Sequence, residues 1–201
     1  MMKKPFVMAV FVALGALVIG GGFFAWQKHQ DDVKSQQEAA KQAQERAKYF
    51  EINDEAAGVY FRVGKSFKRL TPAELQAKNP SFLYGFASES DKSVYCAVSQ
   101  TKRTKGGGVK FSDIEQGVVD QLKKSAPDIS VEDKMVVEVG EGNKGARLDM
   151  GYKAGEVPML QWEVIGLTDA STTFAFCNFP KAVQDLYRED AELFLGNLRI
   201  R

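Results

Sequence analysis

Residues 5–26, PFVMAVFVALGALVIGGGFFAW, run for 22 positions without a charged side chain, and about 20 apolar residues suffice to cross the hydrocarbon core of a bilayer. This stretch divides the chain before any other folding question arises. Lys3 and Lys4 precede it, while Asp31 and Asp32 come after it beside Lys28, so the positive-inside rule puts the N-terminus in the cytoplasm and exports the C-terminal remainder of the chain. A cleaved signal peptide has a similar basic start, but its apolar region is shorter and ends in an Ala-x-Ala-like site. Here Phe23 and Phe24 occupy those positions, Trp26 stands where an interfacial anchor is expected, and no cysteine comes next to carry a lipid. The expectation is an uncleaved signal anchor in the plasma (inner) membrane. It would be single-pass, with a cytoplasmic N-terminus at 1–4 and a periplasmic or otherwise extracytoplasmic C-terminal part.

Residues 27–48, QKHQDDVKSQQEAAKQAQERAK, hold strong helix formers, no Pro or Gly and almost nothing large and apolar. They predict a solvated helical stalk over 27–50, which if wholly helical would hold the C-terminal domain on the order of 30 Å from the membrane. Val33, Ala40 and Ala47 with Gln36, Ala43 and Phe50 form a thin heptad seam. In the span, Ala16 and Gly20, and Gly21 and Ala25, have small-xxx-small spacing. A weak homodimer through the transmembrane helix or the stalk is one reading of these patterns, and a plain spacer is the other. His29 is the sole histidine of the 201 residues and falls in the stalk. A Ser-His-Asp or Cys-His pair is thereby excluded from the C-terminal domain, as is a zinc site containing histidine.

Lys and Arg number 27 against 26 Asp and Glu, a balance with no basic excess for a phosphate backbone, so nucleic acid is not an expected partner. Residues 51–201 form the expected exported domain, with element order β-β-β-α-β-β-β-β-α. Val59, Phe61 and Val63 alternate with polar neighbours, as do Phe82, Tyr84 and Phe86, then Val94, Cys96 and Val98; each run reads as a half-buried strand. Leu70–Lys78 reads as a short helical turn at most. Ser112 and Glu115 have the spacing of a capping box, and Ile114, Val118, Leu122 and Ala126 recur on one helical face until Pro127 ends it.

Four strands come next, at 135–139, 146–152, 159–165 and 172–179, punctuated by Gly142-Asn143, Gly155 and Thr168-Asp169 as in an antiparallel meander. Ala146, Leu148, Met150 and Tyr152, and then Leu160, Trp162 and Val164, are the expected core faces. A last helix runs from near Pro180 to about Leu195 and turns Val183, Leu186, Tyr187 and Phe194 to the sheet. The fold class is α+β, an antiparallel sheet of about six or seven strands with a central and a C-terminal helix packed on it.

The opening AAGVYFRVGKSFKRL with Phe67 in an aromatic position, the central helix SDIEQGVVDQLKK, the Gly145-Ala146 strand start, the meander and the terminal helix resemble the PsbP-like fold family, including its DcrB-like periplasmic domains. The resemblance covers 57–201. It implies a sheet with helices on its faces and a binding or assembly role without catalysis, and it carries over no site residue. An uncleaved anchor is a departure from the lipid-attached cysteine of the periplasmic members.

Three groups of residues are candidates for function. Cys96 and Cys177, the only cysteines, each fall in an expected strand of an exported domain, where they are either bridged or separately buried. Arg147, Asp149, Lys153, Gln161 and Glu163, with Glu138, are expected to share the polar face opposite the core, either as a binding face or as a solvated one with cross-strand ion pairs. Lys102, Arg103, Lys105 and Lys110 lie in a flexible basic loop with three glycines, which is either solvated or a docking point.

The expected function is a membrane-anchored protein-binding module, an assembly or secretion accessory of an envelope complex that needs no cofactor. The alternatives are a small-molecule or lipid-binding protein, using an aromatic interior around Phe82, Tyr84, Phe86 and Trp162, or a carboxylate-dependent enzyme using Asp149 and Glu163 on an envelope polymer.

Overall fold

The structure, a computed structural model, describes residues 48–103 and 111–201. The expected span at 5–26 and the stalk up to residue 47 lie outside the described residues. Among those described, no helix is long and apolar enough to cross a membrane.

The domain opens with a hairpin of β1 (Tyr49–Asp54) and β2 (Val59–Gly64). Its turn is closed by the Ala57 N–H donating to Asp54 Oδ1 at 3.0 Å and by Gly58 at φ +65°, a conformation that favours glycine. A short β3 (Phe67–Arg69), α1 (Pro72–Lys78), β4 (Phe82–Ser88) and β5 (Tyr95–Lys102) continue the chain. After α2 (Phe111–Lys123) comes the meander β6 (Ser130–Glu138), β7 (Lys144–Ala154), β8 (Val157–Leu167) and β9 (Ser171–Pro180). A 3-10 turn (Lys181–Val183) leads into α3 (Gln184–Gly196), and β10 (Arg199–Ile200) closes the chain. Seven strands pair in the order β3-β4-β5-β9-β8-β7-β6, and a smaller sheet has the order β1-β2-β10. All pairings are antiparallel.

Both faces of the large sheet are covered. On one, α3 and the small sheet bury Phe61, Phe86, Trp162, Phe179, Phe194 and their neighbours in one cluster. Phe61 is fully buried, with the rings of Tyr84, Phe86 and Phe194 at 5.5, 5.9 and 5.3 Å. On the other, α2 packs Ile114, Val118 and Leu122 on Leu148, Met150, Ile165 and Phe174. The expected helical stripe of α2 is therefore the one that meets the sheet.

Several sequence expectations need correction. Phe50, assigned to the stalk seam, lies in β1 with its ring 5.7 Å from Phe86; hairpin pairing with β2 and this burial outweigh helix propensity. Leu70–Lys78 holds a seven-residue helix instead of one turn, because Thr71 and Glu74 form a reciprocal capping box and Pro72 sits in its first turn. Ser112 is not the cap of α2. It lies within the helix and donates to Asp113 Oδ1 at 3.4 Å, while Glu115 turns to the sheet and pairs with Lys134 of β6. Leu186 is 72% exposed, since the buried stripe of α3 is Tyr187, Ala191, Phe194 and Leu195.

Candidate functional site

Strand register decides which polar residues can act together. Across β7 and β8, Asp149 faces Trp162 and Leu148 faces Glu163, and directly opposed residues in an antiparallel pair point to the same side. Arg147, Asp149 and Lys153 therefore lie on the α3 side, and Gln161 and Glu163 lie on the α2 side. The expected common polar face does not exist, and Asp149 and Glu163 cannot act as a carboxylate pair through the sheet. Its solvated alternative fails as well, because helices cover both faces and Arg147, Gln161 and Glu163 are buried.

On the α3 side, Arg147 binds two carboxylates. Its Nε and Nη2 donate to Asp149 at 2.7 and 3.2 Å, and its Nη1 and Nη2 donate to Glu192 of α3 at 2.5 and 2.8 Å. The guanidinium also lies 4.9 Å from the centre of the Trp162 ring. Burial works against its charge, and the bonds to Glu192 and Asp149 outweigh that cost, so its pKa is raised. All this geometry fastens α3 to β7. Lys153 stands at the exposed end of the same strand, its backbone N–H bonded to Asp128 Oδ2 at 3.0 Å.

Cys96 and Cys177 are bridged. They are opposed in the β5–β9 pairing with Cα atoms 4.0 Å apart, at the centre of the sheet and among the buried residues of the α3 side.

The α2 side holds a cleft of about 650 Å³. Ile114, Val118 and Leu122 of α2 form one wall, and Phe82, Phe174 and Phe176 of the sheet form the other. Phe82 reaches this side because a register shift between Phe82 and Tyr84 reverses the alternation of β4. The expected aromatic interior is divided accordingly: Phe82 lines the cleft, while Tyr84, Phe86 and Trp162 pack on the other side. Ring contacts stiffen the wall, with Phe176 tilted against Phe82 at 5.5 Å and edge-to-face with Tyr95 at 5.9 Å. At the rim Lys78 Nζ lies 4.1 Å from the centre of the Tyr95 ring.

Glu163 lines this cleft at 5% exposure and accepts a hydrogen bond from Gln161 Nε2 at 2.9 Å. Burial pushes its carboxyl up to about 7, and the Gln161 bond offsets only part of that. Beyond it, Asn178 and Tyr152 exchange hydrogen bonds at 2.7 and 3.0 Å, and burial raises the pKa of Tyr152. The cleft can hold an apolar body against fixed rings and present one carboxyl to a polar group on it. Among the described residues, no group of three or more His, Cys, Asp or Glu could hold a metal ion.

Sequence reading missed the cleft as a unit. Its trace was the Phe174/Phe176 alternation one strand away from Gln161/Glu163, together with Gly117, which lines the cleft from α2 and leaves open space where a Cβ would stand. Of the basic loop, Lys102 is exposed at the end of β5, and Arg103 donates from Nη1 to the Thr168 carbonyl at 2.9 Å, tying down the β8–β9 turn. Lys105 and Lys110 lie outside the described residues.

No family model matches this chain, and no curated protein matches it in sequence. Solved structures do. The PsbP protein CyanoP of Synechocystis sp. superposes with a TM-score of 0.59 at 9% identity, covering 77% of this chain and 94% of that one. LpqN of Mycobacterium tuberculosis, described as involved in cell envelope biogenesis, gives 0.55 at 13% identity over 76% of this chain and 90% of its own. The Ran-binding protein Mog1p of Saccharomyces cerevisiae gives 0.51 at 8% over 76% and 95%. Identities this low speak to architecture alone, and that architecture is the PsbP-like fold.

Proposed function

We propose that this chain is a non-catalytic, membrane-tethered binding module. Residues 5–26 anchor it, the stalk carries Tyr49–Arg201 clear of the bilayer on the extracytoplasmic side as a DcrB-like domain, and the cleft under α2 takes a small organic ligand. The single observation that carries this reading is the cleft itself: at about 650 Å³, with ring-lined walls and the buried, hydrogen-bonded pair Gln161 and Glu163, it falls within the ordinary size of small-molecule sites. The fold neighbours support a binding or assembly role, since one is described as Ran-binding and another as involved in envelope biogenesis.

The test is native mass spectrometry of the full-length chain purified from its own membrane, beside a Gly117→Leu variant that fills the cleft. The expected result is a small molecule retained by the wild type and absent from the variant. A wild type that carries no added mass at good occupancy of the fold contradicts the reading.

A protein partner has a separate place on the surface. β6 is an edge of the large sheet, nine residues long, with Val136 75% exposed and Val131 and Met135 about 40% exposed, and such an edge can take an added strand. Cross-linking in the native membrane and identification of what co-purifies, with Val136→Lys as the variant, tests this second reading. An envelope protein captured by the wild type and lost from the variant supports it, and undiminished capture by the variant counts against it.

A further inference from the structure

We infer that the cleft under α2 selects an organic cation, an ammonium or quaternary ammonium group on an apolar body, with Glu163 as its counter-ion. This deepens the ligand-binding reading above and rests on it.

Charge complementarity makes the choice. Glu163 is a carboxyl at 5% exposure whose hydrogen bond comes from the neutral amide of Gln161, and among the described residues it forms no ion pair. Among the described residues, the other ionisable groups on this side are otherwise engaged or exposed. Glu115 of α2 is paired with Lys134 of β6, Tyr152 of β7 bonds Asn178, and Lys78 of α1 lies over the Tyr95 ring at the rim. Asp113, Asp120 and Lys123 of α2 are exposed. A buried carboxylate lacking a cation is costly, and a bound ammonium removes that cost, whereas a bound anion would add to it. The walls suit the same ligand. Aromatic ring faces attract ammonium groups, and one of these rings, Tyr95, already holds the ammonium of Lys78. A neutral ligand would satisfy the rings alone. A carboxylate ligand would meet Glu163 in its ionised form.

Binding is linked to the Glu163 proton. Its carboxyl titrates at about 7, and only the ionised form is a counter-ion, so affinity for a permanently charged cation rises with pH through neutrality and then levels off.

The experiment uses the full-length chain in dodecyl maltoside micelles, with empty micelles as the blank, and calorimetric titration with benzyltrimethylammonium, benzyl alcohol and benzoate at pH 8 and pH 5.5. The expected result is saturable binding of the ammonium at pH 8, about tenfold or more tighter than the alcohol, weakening about tenfold or more at pH 5.5. Glu163→Gln keeps the alcohol and loses the preference for the cation, with circular dichroism confirming its fold. Gly117→Leu loses both. The inference is overturned if the alcohol or benzoate binds as well as the ammonium, if the preference survives in Glu163→Gln, or if no probe binds. Alcohol binding that is lost in Gly117→Leu, without preference for the cation, would remove the cation and leave the cleft. Ligand retention in native mass spectrometry decides the cleft independently of all three probes.

Discussion

The two faces of the seven-stranded sheet are covered by helices of equal length, 13 residues each, and the coverings differ in depth. α3 buries Tyr187, Ala191, Phe194 and Leu195 and is fastened by the Arg147 bonds. α2 buries Glu115 alone, and its apolar stripe of Ile114, Val118 and Leu122 is only partly covered. One face is assisted by a second sheet and closes into a continuous core, whereas the other rests, among the described residues, on a single helix that leaves a cleft beside the buried Glu163. Burial of apolar area scales the stabilisation, so the α3 side holds the fold and the α2 side has room to bind.

The largest expected difference between the faces comes from truncation. Phe61→Ala on the closed side should cost about 3–5 kcal/mol, while Leu122→Ala on the open side should cost about 1 kcal/mol, both measured as shifts in urea unfolding. Equal costs would mean that the cleft is packed shut and that the contrast fails. Arg147→Ala should cost about 3 kcal/mol, because it leaves Asp149 and Glu192 facing each other without their shared cation. Arg147→Lys should restore only part of it, since an ammonium cannot bind both carboxylates as a fork.

Glu163 sharpens the comparison in the opposite direction. Its carboxyl titrates near its ordinary 4.5 in the unfolded chain and at about 7 in the fold, so the folded state holds the extra proton between those values. Stability therefore falls as pH rises from about 4.5 to about 7 and stays low above. Glu163→Gln should unfold at higher urea than the wild type at pH 8, by up to about 3 kcal/mol, with the gain fading toward pH 4.5. A pH-independent gain would place the carboxyl in contact with water. An effect as small as that of Leu122→Ala, and opposite in sign, is expected at Gly117→Ala, which adds a helix-favouring side chain in open space and should stabilise by about 1 kcal/mol in thermal unfolding. A loss there would mean that α2 lies closer to the sheet than the cleft allows.

Sequence patterning made some elements legible and hid others for identifiable reasons. β7, β8 and β9 were found because ten or eleven residues of alternation between turn signals leave little ambiguity. β3 has three residues and β10 two, too short to show a period. The faces were harder than the strands. Leu148 and Trp162 both look like core residues, and both are, but on opposite sides of a sheet that is buried twice. Only the pairing of Leu148 with Glu163 tells the sides apart, and register is a property of two strands that neither strand's sequence states alone. Arg147 and Glu163 were named as candidates, yet their roles separated for this reason. The cleft was illegible because it depends on how far α2 stands off the sheet, which no periodicity encodes.

The bridge between Cys96 and Cys177 spans a sequence separation of 81 residues, and α2 with β6, β7 and β8 lies entirely within that span. A pull applied between the ends of the domain, at Tyr49 and Arg201, therefore passes from β5 to β9 through the sulfurs and bypasses the intervening segment. The part that carries α2 and the cleft is mechanically shunted. Under the membrane tether proposed above, tension on the far end would strain the fastened α3 side first, and reduction of the bridge would bring the whole loop into the line of force.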